Sequence, residues 1–248
     1  MKYIGFMIRA GNYTDHAELD KLYQQMINTK IDEERKKIYG GILAINPNDQ
    51  MVALYRALEA FTVNEEEGLK MAIELTNGPD SVSEQWDCLG TMYYIVGRKQ
   101  EACFAFRCAV HLNAEDEAAR FNLAANSMHL GNYDDALLHI YKCLRSDHVP
   151  IDLDVLHLNT LLLAHSPFAA HEKACAIMAK YGSKMNGSPK EFGVIRKLAE
   201  DQNSIQEAIA FYRDKGDSEE STVESRRKQL AGSKSQLQFS CPCCKMEI

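Results

Sequence analysis

The chain has 248 residues, 46% of them apolar and 25% charged, the balance of a globular protein of one or two domains. Its net charge of −7 argues against a broad nucleic-acid footprint, which needs clustered Lys and Arg to displace counterions from phosphates. No stretch approaches the roughly eighteen apolar residues that cross a bilayer, so no membrane span is expected. The opening MKYIGFMIRAGNYTD is broken by Gly, Arg and polar residues and carries no small-residue cleavage site. That reading expects no secretory signal and a cytoplasmic protein.

Taken in chain order, residues 14–29 and 31–45 read as a first helix pair, with Thr14 as a candidate N-cap and Asn46-Pro47 as its stop. GNYTDHAEL (11–19) echoes GNYDDALLH (131–139), which allows a rival register with a short helix at 3–10. The residues leave that choice open. A second pair follows at 48–63 and 65–77, with Ala53 and Ala57 as its small positions. In 84–96, Trp86, Leu89, Tyr93 and Val96 recur at helical spacing. Gly97 then permits a left-handed turn, and Ala102, Phe106, Ala109 and Val110 mark the next apolar stripe.

A shift of 34 residues superposes this unit on the next. Leu89 falls on Leu123, Gly90 on Ala124, Gly97 on Gly131, Ala102 on Ala136, Phe106 on Ile140 and Ala109 on Cys143. A further shift brings Ala136 to Ala170 and places His165 in the turn-glycine slot. Small residues repeat because two antiparallel helices approach closely only where one presents little volume. Gly90 and Ala102 are placed for that contact, with Trp86, Tyr93 and Phe106 filling the space around it. Further on, Ser166-Pro167 reads as a helix start and Gly182 as a helix end. Ser188-Pro189 opens another helix, and Ser204 with Glu207 reads as a capping box.

The run W-x-x-L-G-x-x-Y from Trp86 to Tyr93, followed by Gly97, Ala102, Phe106 and Ala109, resembles a tetratricopeptide repeat (TPR). Ala114 stands where the family closes on Pro, and Arg120 occupies the Trp slot of the second copy. The resemblance implies an all-α fold, a right-handed superhelical solenoid of antiparallel helix pairs over 1–182. Its clearest units are 83–116 and 117–150, with weaker ones at 15–47, 48–80 and 151–182. Capping helices are expected over 183–214. Residues 215–248 are rich in Ser, Glu, Lys and Gln and are expected to form a flexible polar tail.

The family places the first helix of each pair along a concave groove that holds peptides or helices. Carried onto this sequence, the groove residues are Leu54, Leu58 and Phe61, then Glu84, Asp87, Thr91 and Tyr94. Phe121, Ala125, Met128 and His129 follow, and Asp152, Val155, Asn159 and Leu162 come last. Asp87, Phe121 and Asn159 stand where a carboxylate-gripping member carries basic residues, although Asn122 and Asn126 remain as polar donors. The expected partner is therefore a protein segment that is apolar with Lys or Arg, with Tyr94 and Phe121 as anchors.

No phosphate loop, nucleophile elbow or H-E-x-x-H pair occurs, and no enzyme is expected. His139 and Cys143 stand at metal-pair spacing, but Cys143 falls in a core slot, so an exposed His and a buried Cys are expected. Cys88, Cys103, Cys108, Cys143 and Cys175 sit singly in helical patterns, where Cys behaves as a small buried residue. Together with the absent signal, this suggests a reducing compartment. Cys241, Cys243 and Cys244 cluster in FSCPCCKMEI, and Phe239-x-Cys241-Pro-x-Cys244-Lys245 resembles the first knuckle of a zinc ribbon. Structural zinc wants four ligands, so zinc, a reactive thiol or no special role all stay open there. The leading expectation is a non-catalytic interaction scaffold, such as an adaptor, chaperone-like holder or complex subunit. One alternative is a metal- or thiol-dependent protein that uses the Cys cluster. The other is a self-assembling homo-oligomer whose groove takes a second copy.

Overall fold

A computed structural model describes residues 17–29, 32–145, 150–182 and 190–214. Their regular structure is helical, with no strand among the described residues. The helices come in consecutive pairs. They are α1 (Ala17–Asn28) and α2 (Asp32–Ile45), α3 (Gln50–Val63) and α4 (Glu65–Thr76), then α5 (Ser83–Ile95) and α6 (Lys99–Leu112). Then come α7 (Glu117–His129) and α8 (Tyr133–Cys143), α9 (Ile151–Leu163) and α10 (Pro167–Tyr181), and last α11 (Lys190–Glu200) and α12 (205–214). Each helix packs on its chain neighbour. In addition α5 meets α7, and α7 meets α9.

The expected pairs at 48–63, 65–77, 84–96 and 99–112 appear within a residue or two of their bounds. The punctuation is local chemistry. Asp49 caps α3 by accepting from the Val52 N–H at 2.9 Å. Asn64 ends α3 and caps α4, accepting from the N–H groups of Glu66 and Glu67. Asp116 accepts from the N–H groups of Ala118 and Ala119 at the start of α7. It also takes the Ser83 hydroxyl at 2.7 Å, which ties the α7 cap to the first turn of α5. Thr14, the 3–10 helix and Ser188-Pro189 lie outside the described residues.

The predicted close approach is present. A Cβ built on Gly90 would lie 2.6 Å from two carbons of the Phe106 ring, inside the α5–α6 contact. Gly68, one repeat length before Ala102, is tighter still. A Cβ there would lie 2.4 Å from the Phe61 backbone, where α4 crosses α3. Gly97 and Gly131 turn with φ of 82° and 78°, and His165 does the same at 54°. The repeat thus holds its turn geometry even where glycine is lost, at the cost of a Cβ in the left-handed region.

Burial separates two kinds of helix. In α5 every residue from Ser83 to Tyr94 except Glu84 is buried; in α9 the same holds from Leu153 to Leu162. Most of α7 is buried as well. The even-numbered helices α6, α8 and α10 bury one stripe each. The odd helices α5, α7 and α9 thus form an interior row, and the even ones flank it. One apolar core runs from Ala57 in α3 to Tyr212 in α12, and a smaller cluster joins α1, α2 and the start of α3. Ile195, Leu198 and Ala208 belong to the large core, so the terminal helices share it with the units before them.

The expected capping box at Ser204 is not the one that forms. A 3₁₀ turn over Gln202–Ser204 begins the last helical segment earlier, and Asp201 caps it by accepting from the Asn203 N–H. Ser204 donates back to the Asp201 carbonyl, while Glu207 pairs with Lys197 instead of reaching its own N-terminus.

Two substitutions probe this geometry. Gly68→Ala should lower stability by about 2 kcal/mol in urea unfolding, because overpacking against backbone outweighs Ala's better helix propensity. His165→Gly should raise it by about 1 kcal/mol through relief of the left-handed strain.

Candidate functional site

The site follows from the interior row. Residues four apart on one helix share a face, so Asp87, Thr91 and Tyr94 lie along one stripe of α5. The next unit presents Phe121, Ala125, Met128 and His129 on α7, and α9 presents Asp152, Val155, Asn159 and Leu162. Besides the Ser83–Asp116 bond, two contacts tie α5 to α7. The Asn122 amide donates to Asp87 Oδ1 at 2.9 Å, and the rings of Tyr94 and His129 lie 5.5 Å apart between centroids.

The expected groove residues differ in exposure. Leu54, Phe61, Asp87, Thr91, Tyr94, Ala125, Met128, Val155, Asn159 and Leu162 are buried. Leu58, Glu84, Phe121 and His129 are half-buried, and Asp152 is exposed. Tyr94 is 5% exposed, so of the two expected anchors only Phe121 presents appreciable surface. The two amides expected to remain as donors are engaged: Asn122 on Asp87, and Asn126 on the Lys99 carbonyl at 2.9 Å.

The row is apolar in volume but not in chemistry. Burial pushes the Asp87 carboxyl up to about 7, the nearby charges of Asp116 and Glu84 add to this, and the Asn122 hydrogen bond works against it. No Lys or Arg among the described residues forms an ion pair with Asp87. Thr91 Oγ1 and Asn159 Oδ1 are buried without a hydrogen-bond partner. These two residues are 68 apart, two repeat lengths, and occupy the same slot of their units.

The α9–α10 unit carries polarity of its own that the sequence reading does not anticipate. Asp154 sits in the slot of Trp86, buried, and receives Lys173 at 2.5 Å, Lys180 at 3.1 Å and the Tyr181 hydroxyl at 2.9 Å. Burial alone would raise its pKa, but those three donors more than offset it and hold the carboxyl below its ordinary value. The ionic cluster therefore ties α9 to α10 where the α5–α6 unit uses an indole. One turn on, His157 is buried with both ring nitrogens unpartnered and the Tyr141 ring edge-on at 5.1 Å. Burial, with Lys173 nearby, lowers its pKa to about 4. A carboxylate in a repeat core slot was the available signal, with Lys173 and Lys180 about a helix length on.

The expected exposed His139 is only half-buried and stands 3.6 Å from Asp135, and burial lowers its pKa. Cys143 is buried as expected, and burial pushes its thiol up to about 11. Cys88, Cys103 and Cys108 are buried too, but Cys175 is exposed, contrary to the reading of all five as core residues. It lies off the single stripe of α10 that is buried, Ala170, Ala174 and Ile177. Among the described residues no group of three His, Cys, Asp or Glu could hold a metal ion. Cys241, Cys243 and Cys244 lie outside the described residues. No described helix is long and apolar enough to cross a membrane. No family model, curated protein or solved structure matches the chain.

The two α9 groups predict acid sensitivity. His157 has a folded pKa below its unfolded one, so the unfolded chain binds the extra proton between about pH 6.5 and 4, and stability falls as pH drops through that window. Asp154 adds a further loss at lower pH, as its depressed carboxyl is finally protonated. His157→Phe should therefore be relatively more stable than wild type at pH 5 than at pH 8, by about 1–2 kcal/mol in urea titrations at the two pH values.

Proposed function

We propose that the chain is a right-handed, tetratricopeptide-like solenoid that acts as a non-catalytic scaffold, holding a polypeptide segment of a partner along the row of α5, α7 and α9. The 34-residue spacing, the small residues at helix crossings and the recurrent left-handed turn support the repeat reading. One observation carries the binding reading. Asp87 is a buried carboxylate in this row with an amide donor but no cation partner among the described residues, flanked by Glu84 and Asp116. A Lys or Arg of a partner would supply the missing charge through a charge-assisted hydrogen bond, in a setting where water screens little. The more accessible of the expected groove residues, Leu58 on α3 and Glu84, Phe121, His129 and Asp152 in the row, are apolar, aromatic or acidic. They fit a segment that alternates apolar and basic side chains, with Phe121 as the anchor at the surface and Tyr94 as part of the floor.

This reading makes binding proton-linked. A cation favours the carboxylate form of Asp87, whose pKa lies at about 7, so binding below that pH must expel a proton. Affinity for a basic segment should rise about tenfold between pH 6 and pH 8. The test is to capture partners from native cells, map the bound segment, and titrate that segment calorimetrically. Asp87→Asn should flatten the pH dependence, and Phe121→Ala should weaken binding by about 1–2 kcal/mol, with helicity retained in both. Unchanged affinity in both folded variants would overturn the proposal.

A further inference from the structure

Outside the interior row, one cluster on α10 combines a nucleophile, a base and an orienting group. His171 and Cys175 are four residues apart and share a helix face. His171 Nδ1 lies 2.9 Å from the Leu198 carbonyl oxygen on α11. A carbonyl can only accept, so in the neutral imidazole Nδ1 carries the proton and Nε2 keeps its lone pair. That nitrogen lies 3.7 Å from Cys175 Sγ. Sγ is also 3.6 Å from the Ala199 carbonyl, so two acceptors share one thiol proton, and only the imidazole is basic enough to take it. Lys173 on α10 and Lys197 on α11 are engaged by Asp154 and Glu207.

Among the described residues Cys175 is the exposed cysteine, and burial raises the thiol pKa of Cys88, Cys103 and Cys143. We propose that Cys175 and His171 form a thiol–imidazole pair at the α10–α11 junction that exchanges with a small-molecule disulfide, making Cys175 a covalent modification site. In the step, the thiol proton passes to His171 Nε2 and the thiolate attacks one sulfur of the disulfide. The S–S bond of the reagent breaks as the Cys175–sulfur bond forms. The other half leaves as a thiolate and takes the proton from the imidazolium, so no external oxidant or reductant is consumed beyond the disulfide. The adduct removes the proton that Sγ shares with Ala199, so modification acts where the terminal helices meet the units before them.

The test uses the full chain, oxidised glutathione as the probe, and mass spectrometry to read each cysteine separately. Cys175 should be modified at least about tenfold faster than Cys103 or Cys143 at pH 7, as exposure and a neighbouring base dictate. His171→Asn keeps a side-chain N–H for Leu198 but lacks the base. It should slow Cys175 at pH 7 by about fivefold to tenfold and steepen its rate–pH profile toward that of a simple thiol. An unchanged Cys175 rate and profile in folded His171→Asn would overturn the pair. A Cys175 rate no greater than those of the buried thiols would overturn the site, and that comparison needs no variant.

Discussion

The contact on which the structure depends is the crossing of α5 and α6, where the Phe106 ring lies against the bare Cα of Gly90. Phe106 is fully buried, so the ring has nowhere to move if a methyl group appears opposite it. The contact gains dispersion energy only because one side of the crossing has no side chain. Ala102, Ala105 and Ala109 continue the same economy of volume along α6, all buried. The pair can then sit flush against α4 on one side and α7 on the other, which gives the interior row its continuity. The α3–α4 crossing follows the same rule with Gly68 against Phe61, so the constraint belongs to the unit and is not a peculiarity of one pair.

The α9–α10 unit shows what happens when the rule is relaxed. Leu158 replaces the small residue of Gly90, Asp154 the indole of Trp86, and His165 the turn glycine. Each change is accommodated in its own way. The carboxylate is neutralised by Lys173, Lys180 and Tyr181, and the backbone accepts a positive φ at a non-glycine residue. His157 is left buried with no hydrogen-bond partner. A unit that relies on ion pairs and tolerates an unsatisfied imidazole has a narrower pH range than one built from aromatic and aliphatic contacts. The same stretch adjoins the Cys175–His171 pair, so polar chemistry collects at this end of the described fold.

Much of the fold was legible in the sequence because periodicity and small residues are local signals. Gly90 and Phe106 could be matched by eye, and the turn at Gly97 and Gly131 needed only the absence of a Cβ. Gly68 carries the same signal one repeat length before Ala102, but in that unit Ala53 and Ala57 offer the same small volume on the preceding helix. Less of the site was legible. Helical spacing says which residues share a face; it does not say how much of that face is covered. Tyr94 and Asp87 were therefore read as groove wall and lie inside. The Asp154 cluster was missed because its partners come from the far turns of the next helix, and charge pairing across about twenty residues leaves no periodic trace. Cys175 was misjudged because a single cysteine in an amphipathic helix reads alike on either face. Its partner His171 stands four residues before it, the same spacing as His139 and Cys143.

The most direct test of the close-crossing principle is a double-mutant cycle on Gly90 and Phe106, followed by urea unfolding at neutral pH. Gly90→Ala alone should be destabilising, Phe106→Leu alone should be destabilising by loss of buried area, and the combination should be less costly than the two together. A favourable coupling of about 1 kcal/mol or more is the expected result, since the smaller side chain makes room for the added methyl group. Additive effects, or a Gly90→Ala chain more stable than wild type, would mean that the helices do not meet at that glycine, and the account of the repeat core would fail.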